Sequence, residues 1–328
     1  MTRPIVLVAH IPPEPIQDAI DGVLGNDADV RYLPELAGSV RDDALRAARA
    51  VMTYHPIRDL GHDAMAKLDN CGLMQCLTAG IDYLPLGDIP AHIAVAYNAG
   101  AYAEPMAEHA MAMALAAAKH LPREHSRMIA GEFNQFVQTK RVAGATCGIL
   151  GYGETGREVA RLARALGMHI QAINRSGKTD EKVDFIGTLE DTDRVLAAAD
   201  IVVITLALTN KTDRLIRADR LRRMKPDAIL INVARGEIVD EDDLYDHLLA
   251  HPDFTACLEA WWIEPIRHGR FETKHPFLDL PNVIASPHNS GMAEGALEEG
   301  VRRGARNVLR FIAGETPRFV AGNDVKMI

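Results

Sequence analysis

Short apolar runs alternate with segments of helical periodicity along the whole chain. The first third contains strand-like runs at 5–10, 28–34, 50–55, 73–78 and 94–98. The remainder contains runs at 146–151, 169–174, 200–206, 228–233, 255–260 and 282–287. The second set is denser in Ile and Val, which is typical of strands buried on both faces of a sheet. Strands that alternate with helices predict an α/β fold built on parallel sheets.

Two helical segments are distinctive. The segment 104–120, "EPMAEHAMAMALAAAKH", is rich in Ala and Met, and Pro105 lies near its first turn. Its apolar residues run around most of the helix circumference, which predicts burial between domains or subunits. The last helix, at about 293–313, has no strand after it. We therefore expect this helix to return and pack on the first domain.

Composition narrows the class of protein. The chain has 48% apolar and 25% charged residues, which are ordinary values for a soluble globular protein. A net charge of −9 and a pI of about 5.8 argue against a nucleic-acid partner held through its phosphates. No apolar run approaches the roughly 20 residues that span a bilayer, and "MTRPIVLVAH" begins as a strand without signal-peptide features. We expect a cytoplasmic protein of enzyme size with no membrane partner.

The four cysteines are Cys71, Cys76, Cys147 and Cys257, and they form no CxxC pair. Disulfides and a zinc site are the alternatives to free thiols. The apolar, strand-like surroundings of all four favour buried, reduced thiols and no metal.

A glycine-rich turn begins the second set of strands. "TCGILGYGETGREVARLARALG" (146–167) places Gly151, Gly153 and Gly156 in the GxGxxG spacing. The spacing alone is a weak signal, and an ordinary tight turn without a ligand is the alternative. Here the glycines follow an apolar strand and open an amphipathic helix, the context in which a helix N-terminus binds a pyrophosphate. The sequence therefore predicts a dinucleotide site.

Three later strand ends carry polar side chains suited to catalysis. Arg235 follows the run 228–233, Glu264 precedes a proline, and His288 follows one. Each alone has an ordinary explanation as a surface charge, a turn residue or a structural histidine. Ligands of doubly wound sheets bind outside the carboxyl ends of the strands, so these three side chains are expected near the nucleotide. An Arg, a Glu and a His together suit proton transfer on a small anionic substrate.

The chain resembles the D-isomer-specific 2-hydroxyacid dehydrogenases along nearly its whole length. The motifs that carry the resemblance, in the family's order and spacing, are "LTAGIDYLPL", "NAGAYAEPMAEHAMAMALA", "GILGYGETGREVARLARALGM", "ILINVARGEIVDEDDL", "WWIEP" and "NVIASPHNSG". The pattern is most similar to NADP-dependent glyoxylate and hydroxypyruvate reductases. The resemblance implies hydride transfer between a nicotinamide cofactor and a small 2-oxo or 2-hydroxy acid.

The resemblance also implies roles for single residues. Arg235 binds and polarises the 2-oxo acid, His288 donates or accepts the proton, and Glu264 pairs with His288. Backbone amides around Ala79 and Gly80 hold the substrate carboxylate. Apart from the resemblance, Tyr54, Tyr102, Trp261 and Trp262 are candidates for an aromatic-lined pocket around the substrate side chain, with Tyr54 taken as a substrate-binding residue and ordinary packing as the alternative for each. The remaining nucleotide contacts are Glu154, Thr155, Leu206, Ala207, Thr212, Val233 and Ala234.

Two positions depart from the family pattern. The family usually has Asp near the nicotinamide carboxamide, where this chain has Glu259, which is one methylene longer. The family's usual Pro after "VVITL" is replaced by Ala207. Neither departure removes a catalytic group.

The expected architecture is two Rossmann-like, doubly wound α/β domains with the active site in the cleft between them. A substrate domain, residues 1–98 completed by 290–328, encloses an inserted dinucleotide domain, residues 99–289. Two other functions share this fold: oxidation of formate or another small anion, and nucleotide sensing without catalysis. Formate-oxidising relatives carry Gln at the position of Glu264, and a non-enzymatic relative does not need the complete Arg–Glu–His set.

The loop "NRSGK" (174–178) addresses the choice between NADP and NAD. NAD enzymes usually place an acidic residue about 20 residues beyond the glycines to accept from the ribose 2′-hydroxyl. Here Asn174 takes that place, and Arg175 and Ser176 follow it with Lys178. A carboxylate would repel a 2′-phosphate, whereas these side chains attract one. The sequence predicts NADP, with an NAD enzyme that tolerates Asn as the alternative, and the resemblance implies a homodimer with the helix 104–120 at or near its interface.

Overall fold

The computed structural model describes residues 3–322. The chain divides into two compact units, Met1–Tyr102 with Met292–Ile328, and Ala103–Gly291. We call them unit 1 and unit 2. Both have helices on the two faces of a parallel sheet, the arrangement predicted by the alternation of strands and helices.

The strands of the described residues are β1 (Ile5–Val8), β2 (Asp29–Tyr32), β3 (Ala48–Thr53), β4 (Leu73–Cys76), β5 (Ala94–Ala96), β6 (Thr146–Leu150), β7 (His169–Ile173), β8 (Phe185–Gly187), β9 (Ile201–Ile204), β10 (Ile229–Asn232), β11 (Thr255–Leu258) and β12 (Val283–Ala285). The helices are α1 (Glu14–Leu24), α2 (Gly38–Ala47), α3 (Pro56–Leu60), α4 (His62–Met65), α5 (Ala103–Ala118), α6 (Leu121–Ile129), α7 (Glu154–Ala165), α8 (Thr192–Ala198), α9 (Ala218–Leu221), α10 (Glu241–Ala250), α11 (Pro265–His268) and α12 (Ala296–Ile312). Single 3₁₀ turns lie at Leu33–Glu35, Leu86–Asp88, Leu189–Asp191, Gly236–Ile238 and Phe277–Asp279.

Unit 1 contains a five-stranded sheet of order β2-β1-β3-β4-β5, in which all neighbours are parallel. Side chains alternate between the two faces of β1, so Val6 and Val8 lie in the core under α1 and α12, whereas Leu7 lies in the core under α2 and α4. The last helix belongs to unit 1 and packs against α1, which confirms the expected return of the chain.

Unit 2 contains a seven-stranded sheet of order β12-β11-β10-β9-β6-β7-β8, again with every pair parallel. The chain extends the sheet in one direction from β6 to β8 and in the other from β9 to β12. The direction of winding therefore changes between β6 and β9, and the carboxyl ends of the strands next to this switch point are where doubly wound sheets bind ligands. All seven carboxyl ends lie along one edge, because the strands are parallel.

The Ala- and Met-rich helix predicted at 104–120 is α5. Its buried residues, among them Ala107, Ala110 and Ala114, pack on α7, β10 and β11 within unit 2. Small side chains permit this close approach of α5 and α7. Glu104 and Glu108 lie on the exposed side of the helix.

Each strand that the sequence predicts is present in the structure, which also contains β8, a strand that the sequence does not predict. It has three residues, lies at the edge of the sheet, and pairs only with β7 through Gln171, Ala172 and Ile173. Three residues, two of them half-buried and one buried, are too few to give a strand-like pattern, so the pairing depends on tertiary structure. Within residues 3–322, no helix combines the length and apolar character needed to cross a membrane.

Candidate active site

The predicted catalytic residues follow three neighbouring strands of unit 2. Arg235 follows β10, Glu264 follows β11, and His288 follows β12. Neighbouring strands lie about 4.8 Å apart, so short loops after them bring the side chains within contact distance. The structure thus places the three residues together on one edge of the sheet.

His288 and Glu264 form the central pair. Nδ1 of His288 lies 2.8 Å from both carboxylate oxygens of Glu264. The backbone N–H of Trp261 donates to Oε1 of Glu264 at 2.7 Å, which helps to fix the carboxylate. Glu264 is buried, and the His288 side chain is 30% exposed. Because Nδ1 is engaged with Glu264, Nε2 is the imidazole nitrogen that remains for proton transfer.

The backbone of His288 is strained. Its φ of 51° lies in the left-handed region, which non-glycine residues adopt at a cost of about 1 kcal/mol or more. The short loop after β12 and the bond to Glu264 hold this conformation, which turns the imidazole toward the end of β11.

Glu264 is held in its charged form. Burial alone would raise the pKa of this carboxyl group, but the hydrogen bond and charge of His288, the Trp261 N–H and the charge of Arg235 outweigh it. Together they keep the pKa of Glu264 below its ordinary value of 4.5. At neutral pH the carboxylate is therefore a negative counter-charge for a protonated His288.

Glu259 is a second carboxylate beside the same imidazole. Its side chain is fully buried, and the backbone N–H of Ser290 donates to its Oε1 at 2.8 Å. Its Oε2 lies 4.0 Å from Nε2 of His288 and has no hydrogen-bond partner among the described residues. A buried carboxylate oxygen without a donor suits an incoming amide N–H, such as the carboxamide that the family resemblance implies at this position.

The loop that carries Arg235 is held by its neighbours. Asn232 accepts from the backbone N–H of Ala234 and donates to the carbonyl of Arg235. A Cβ added at Gly236 would lie 2.3 Å from the carbonyl carbon of Trp261, so only glycine fits there. This close approach brings the Arg235 loop against the loop that begins at Trp261 and ends at Glu264.

The glycine turn after β6 has the shape that a dinucleotide requires. Gly151 has a φ of 112°, and a Cβ there would lie 2.7 Å from the backbone of Thr205 and Leu206. A Cβ at Gly156 would lie 2.3 Å from the carbonyl oxygen of Gly151, so helix and strand pack too closely for a side chain. A Cβ at Gly153 would meet no atom within 4 Å, because the turn faces open space there. The turn fits a pyrophosphate approaching Gly153 and the first turn of α7.

Neighbouring strand ends fasten this turn. The backbone N–H groups of Gly151 and Tyr152 donate to the carbonyl of Ile173 at 3.1 and 2.7 Å, and Thr205 Oγ1 donates to the carbonyl of Gly151 at 2.7 Å. In α7, Glu154 is exposed and Thr155 half-buried. The end of β7 is therefore hydrogen-bonded to the glycine turn, and Asn174 is the first residue after β7.

Asn174 closes its own loop. Its Oδ1 accepts from the N–H groups of Ser176 and Gly177, and its Nδ2 donates to the carbonyl of Lys178 at 2.8 Å. Arg175, Ser176 and Lys178 are exposed. Asn174 thus sets the shape of the loop by an Asx turn, and its amide is engaged within the loop rather than directed outward.

The other predicted nucleotide residues follow β9 and β10. Leu206 is half-buried, Ala207 is exposed, and Val233 and Ala234 are buried. Thr212 is buried, and its hydroxyl donates to the carbonyl of Ala207 at 2.7 Å, so its side chain closes the loop after β9.

The predicted substrate residues of unit 1 lie on the corresponding edge of its own sheet. Ala79 and Gly80 follow β4, and Tyr54 follows β3. Tyr102, also in unit 1, donates to the carbonyl of Leu77 at 3.3 Å. The two tryptophans serve packing within unit 2: Trp261 donates to the carbonyl of Ser286, and Trp262 donates to that of Val239 and stacks on Phe277.

The four cysteines are buried free thiols, as predicted. Burial raises the pKa of the Cys76 and Cys147 thiols to about 12, which leaves them unreactive at neutral pH. Among residues 3–322 there is no group of three His, Cys, Asp or Glu side chains that could hold a metal ion.

Sequence reasoning missed several groups at this edge. The Trp261 N–H, the Ser290 N–H and Asn232 position the charged residues, and Ser286 Oγ lies 3.0 Å from Nε2 of His109 on α5. The only feature of the sequence that indicates a positioning role for Asn232 is its place near the end of a predicted strand. Backbone donors have no sequence signal.

Comparison with known proteins identifies relatives that match more than half of the chain. Residues 111–290 match the family model "D-isomer specific 2-hydroxyacid dehydrogenase, NAD binding domain". A hydroxypyruvate reductase from Thermotoga maritima is 32% identical over 64% of this chain and 67% of its own length. A glyoxylate reductase from Thermococcus onnurineus is 34% identical over 56% of this chain, and the match spans only 53% of that relative.

Solved structures share the fold over nearly the full length. A D-isomer specific 2-hydroxyacid dehydrogenase family protein from Aeromonas salmonicida has a TM-score of 0.77 at 25% identity, covering 98% of this chain and 99% of that one. A glycerate dehydrogenase related protein from Thermoplasma acidophilum has a TM-score of 0.66 at 28% identity, covering 94% and 99% of the two chains.

Proposed function

Because the chain belongs to the D-isomer-specific 2-hydroxyacid dehydrogenase family, we propose that it is a reductase that uses NADP(H) to convert small 2-oxo acids to D-2-hydroxy acids. The family match and the relatives named as reductases support an NAD(P)-dependent oxidoreductase. The observation that carries the proposal is the His288–Glu264 pair, with Nδ1 2.8 Å from the carboxylate, on the edge that also bears Arg235.

In the reductive direction, protonated His288 delivers its Nε2 proton to the carbonyl oxygen of the substrate. Glu264 stabilises the protonated imidazole beforehand and keeps its proton-donating nitrogen directed outward. Arg235 binds the carboxylate and carbonyl of the substrate and stabilises the negative charge that develops on the oxygen. The nicotinamide cofactor supplies the hydride when bound. Glu259 Oε2 offers an acceptor for the nicotinamide carboxamide.

The charged pair also argues against the two competing functions. Oxidation of formate does not require proton transfer, so a buried carboxylate on a strained histidine would have no task in it. A nucleotide sensor would not require three catalytic groups on adjacent strand ends. The buried, partnered state of Glu264 is the feature that favours an acid/base enzyme.

A turnover assay tests the proposed function. Purified protein is given NADPH with glyoxylate, hydroxypyruvate or phenylpyruvate, and the configuration of each product is determined. We expect reduction of at least one of these acids to the D-isomer. Oxidation of formate without reduction of any 2-oxo acid, or no redox activity at all, would refute the proposal.

We further propose that the enzyme prefers NADP over NAD. The support is the loop at the end of β7, where Asn174 stands in the usual acidic position and folds the loop through its own amide. The exposed Arg175, Ser176 and Lys178 follow within this turn. Asn174 presents no negative charge to a 2′-phosphate, and Arg175 supplies a guanidinium fork for it.

Arg175→Ala should raise the KM for NADPH by roughly 10- to 100-fold, with far less effect on NADH, because charge-assisted hydrogen bonds to the 2′-phosphate are lost. Lys182→Ala is the matched control, since Lys182 is an exposed cation in the following segment. A wild-type enzyme with higher kcat/KM for NADH than for NADPH would contradict the preference.

We also propose a homodimer, and its interface centres on the segment after α5. We define the arm as residues 121–137, which includes α6 and the loop after it. No residue of α6 is buried, and the arm exposes large apolar side chains: Leu121 58%, Met128 54%, Ile129 76%, Phe133 75% and Phe136 83% exposed. Five large exposed apolar side chains within one short segment favour an interaction surface, and a second copy of the chain is the partner that the family implies.

Light scattering of the wild-type protein at micromolar concentration should give twice the mass of one chain. Phe133→Ser with Phe136→Ser should shift the mass toward one chain, whereas Ile266→Ser, at another exposed apolar residue of unit 2, should not. The mass of one chain for the wild type would refute the dimer. A cytoplasmic location is part of the proposal, and the four buried free cysteines support it.

A further inference from the structure

A buried ion pair joins the two loops of unit 2 that carry Arg235 and Glu264. Nη2 of Arg267 lies 2.6 Å from Oε1 of Glu237, and the two side chains are 6% and 18% exposed. Glu237 lies in the 3₁₀ turn directly after Arg235, and Arg267 lies in α11, directly after Glu264. The ion pair therefore connects segments that follow two different strands, β10 and β11.

The backbone on both sides of this ion pair is held in place. The N–H of Arg214 donates to the carbonyl of Glu237 at 2.7 Å, which anchors the 3₁₀ turn. On the other loop, the N–H of Glu264 donates to Nδ1 of His268 at 3.1 Å, and the N–H of His268 donates to the carbonyl of Glu264 at 2.8 Å. The single turn of α11 is thus closed onto Glu264, so a displacement of Arg267 is transmitted to that carboxylate.

The ion pair is not arranged for maximal stability. Oε2 of Glu237 and Nη1 of Arg267 are buried and have no hydrogen-bond partner within residues 3–322. A buried ion pair stabilises a fold only when further hydrogen bonds satisfy its remaining polar atoms, and apolar side chains of similar volume are often as good or better. The benefit of this ion pair is therefore to be sought in the geometry that it imposes.

We propose that the Glu237–Arg267 ion pair sets the distance between Arg235 and the carboxylate that orients the imidazole of His288. This inference rests on the proposed function and concerns how the same active site is assembled. Arg235 and His288 must act on one carbonyl group at the same time, and an error of about 1 Å in such an arrangement lowers the rate by roughly 10²-fold. Glu237 and Arg267 are positioning residues, because neither has to touch the substrate for this effect.

Two further contacts between the loops do not replace the ion pair. Gly236 packs against the backbone of Trp261, and Nε1 of Trp262 donates to the carbonyl of Val239 at 2.8 Å. Both contacts involve residues that precede Glu264 in the chain. Of these three contacts, the ion pair is the one that holds the chain after Glu264, so the carboxylate is fixed between two points of attachment.

The test compares variants of the ion pair in the reduction of glyoxylate and hydroxypyruvate with saturating NADPH. Arg267→Leu should lower kcat by about 10-fold with little change in KM, because Arg235 still binds the substrate but is misplaced relative to His288. Arg267→Lys keeps the charge and one hydrogen bond to Glu237, so its kcat should lie between those of Arg267→Leu and the wild type.

Arg270→Leu is the matched control. Arg270 lies in the same segment as Arg267 and forms an ion pair of the same length, 2.6 Å, with Glu272, but both side chains are exposed and belong to one loop. Its removal should leave kcat unchanged. Thermal melting establishes that each variant is folded. If Arg267→Leu does not fold, the double variant Glu237→Leu with Arg267→Met decides the question through kcat, because it leaves no buried charge unpaired.

Proton NMR separates this effect on distance from damage to the His288–Glu264 pair. The resonance of the N–H proton between the two side chains should persist in Arg267→Leu, because the Trp261 N–H still holds Glu264. Loss of this resonance would overturn the positioning role, as would an unchanged kcat in the folded variants, an equal loss in Arg270→Leu, or no recovery in Arg267→Lys. A wild type that reduces no 2-oxo acid would overturn the proposed function and the positioning role with it.

Discussion

The carboxyl edges of the two sheets are built alike but differ in how their polar groups are satisfied. In unit 2, His288 and Glu264 hydrogen-bond to one another, and backbone N–H groups fix the carboxylates of Glu264 and Glu259. In unit 1, His10 and Thr78 hold buried polar atoms without partners in the described range. Both edges flank a switch point, so topology alone does not account for the difference.

Groups that transfer protons and stabilise charge act best when they are oriented before the reaction, and the protein itself must supply their partners. The His288–Glu264 pair of unit 2 meets this requirement, because it is formed without any ligand. The buried polar atoms of His10 and Thr78 in unit 1 have no such partner within residues 3–322.

The largest effect should follow from removing the imidazole of the preformed pair. His288→Ala should lower kcat by about 10²-fold or more, because the proton donor is gone, while NADPH still binds. Steady-state kinetics measure the loss, and a fluorescence titration measures NADPH binding. His169→Ala is a control at an exposed histidine of unit 2. Near-normal turnover of His288→Ala would show that the pair is not catalytic.

Arg235→Lys tests whether Arg235, the third proposed catalytic residue on this edge of the sheet, acts through the two parallel hydrogen bonds that a guanidinium group can make. Lys keeps the charge but cannot make two parallel hydrogen bonds, so we expect a higher KM for 2-oxo acids, a lower kcat, and a loss of roughly 10- to 100-fold in kcat/KM. Equal activity of both forms toward neutral ketones, with none toward 2-oxo acids, would show that the carboxylate role is wrong.

Glu264→Gln tests the charge within the pair. The lowered pKa of Glu264 means that it remains ionised at neutral pH and loses its charge only as the pH falls below its ordinary value of 4.5. Replacing it by Gln removes the negative charge beside the imidazole, so the pH profile for reduction should change its position. An identical profile would show that the two residues do not act together.

The smallest effect concerns stability and a buried imidazole of unit 2 that lacks a hydrogen-bond partner in the described residues. His247 of α10 has a buried Nε2 without a partner in the described residues, and it packs against His251 and Phe254. Burial, with the charges of His251 and Arg222, lowers the pKa of His247 to about 4. Only the unfolded chain takes up this proton between pH 6.5 and about 4, so stability should fall as the pH falls through that window.

His247→Phe should flatten this part of the pH dependence of Tm, because the buried titrating group is removed. Thermal melting between pH 4 and 8 measures it. Substrate turnover at neutral pH should not change. A pH dependence of Tm that is the same in His247→Phe and wild type would contradict the assignment.

The sequence predicted the strand ends of unit 2 because motifs mark them. Gly151, Gly153 and Gly156 have the GxGxxG spacing, and Arg235 and His288 follow apolar runs that predict strands. The reasons for single glycines emerged only from packing. Position 236 requires glycine because the backbone of Trp261, 25 positions further along the chain, lies too close for a side chain. The sequence around Gly236 does not predict this contact.

Other features could not be predicted because they depend on contacts between distant segments. The apolar residues of the arm are separated by polar ones, and the sequence did not show that they are exposed. Asn174 was assigned to the ribose by its position, but its amide folds its own loop. His10 follows an ordinary strand, and the sequence gives no sign that its ring nitrogens are buried without partners in the described residues or that its ring lies beside Tyr54.

The preformed state of the His288–Glu264 pair can be measured directly by proton NMR of the protein without cofactor or substrate. An imidazole N–H proton held between Nδ1 and a buried carboxylate is strongly deshielded, so the wild type should show a far-downfield resonance at neutral pH. The resonance should disappear in His288→Ala and move upfield in Glu264→Gln. A wild type whose downfield spectrum matches those of both variants would contradict the claim that unit 2 holds its acid/base pair ready before any ligand binds.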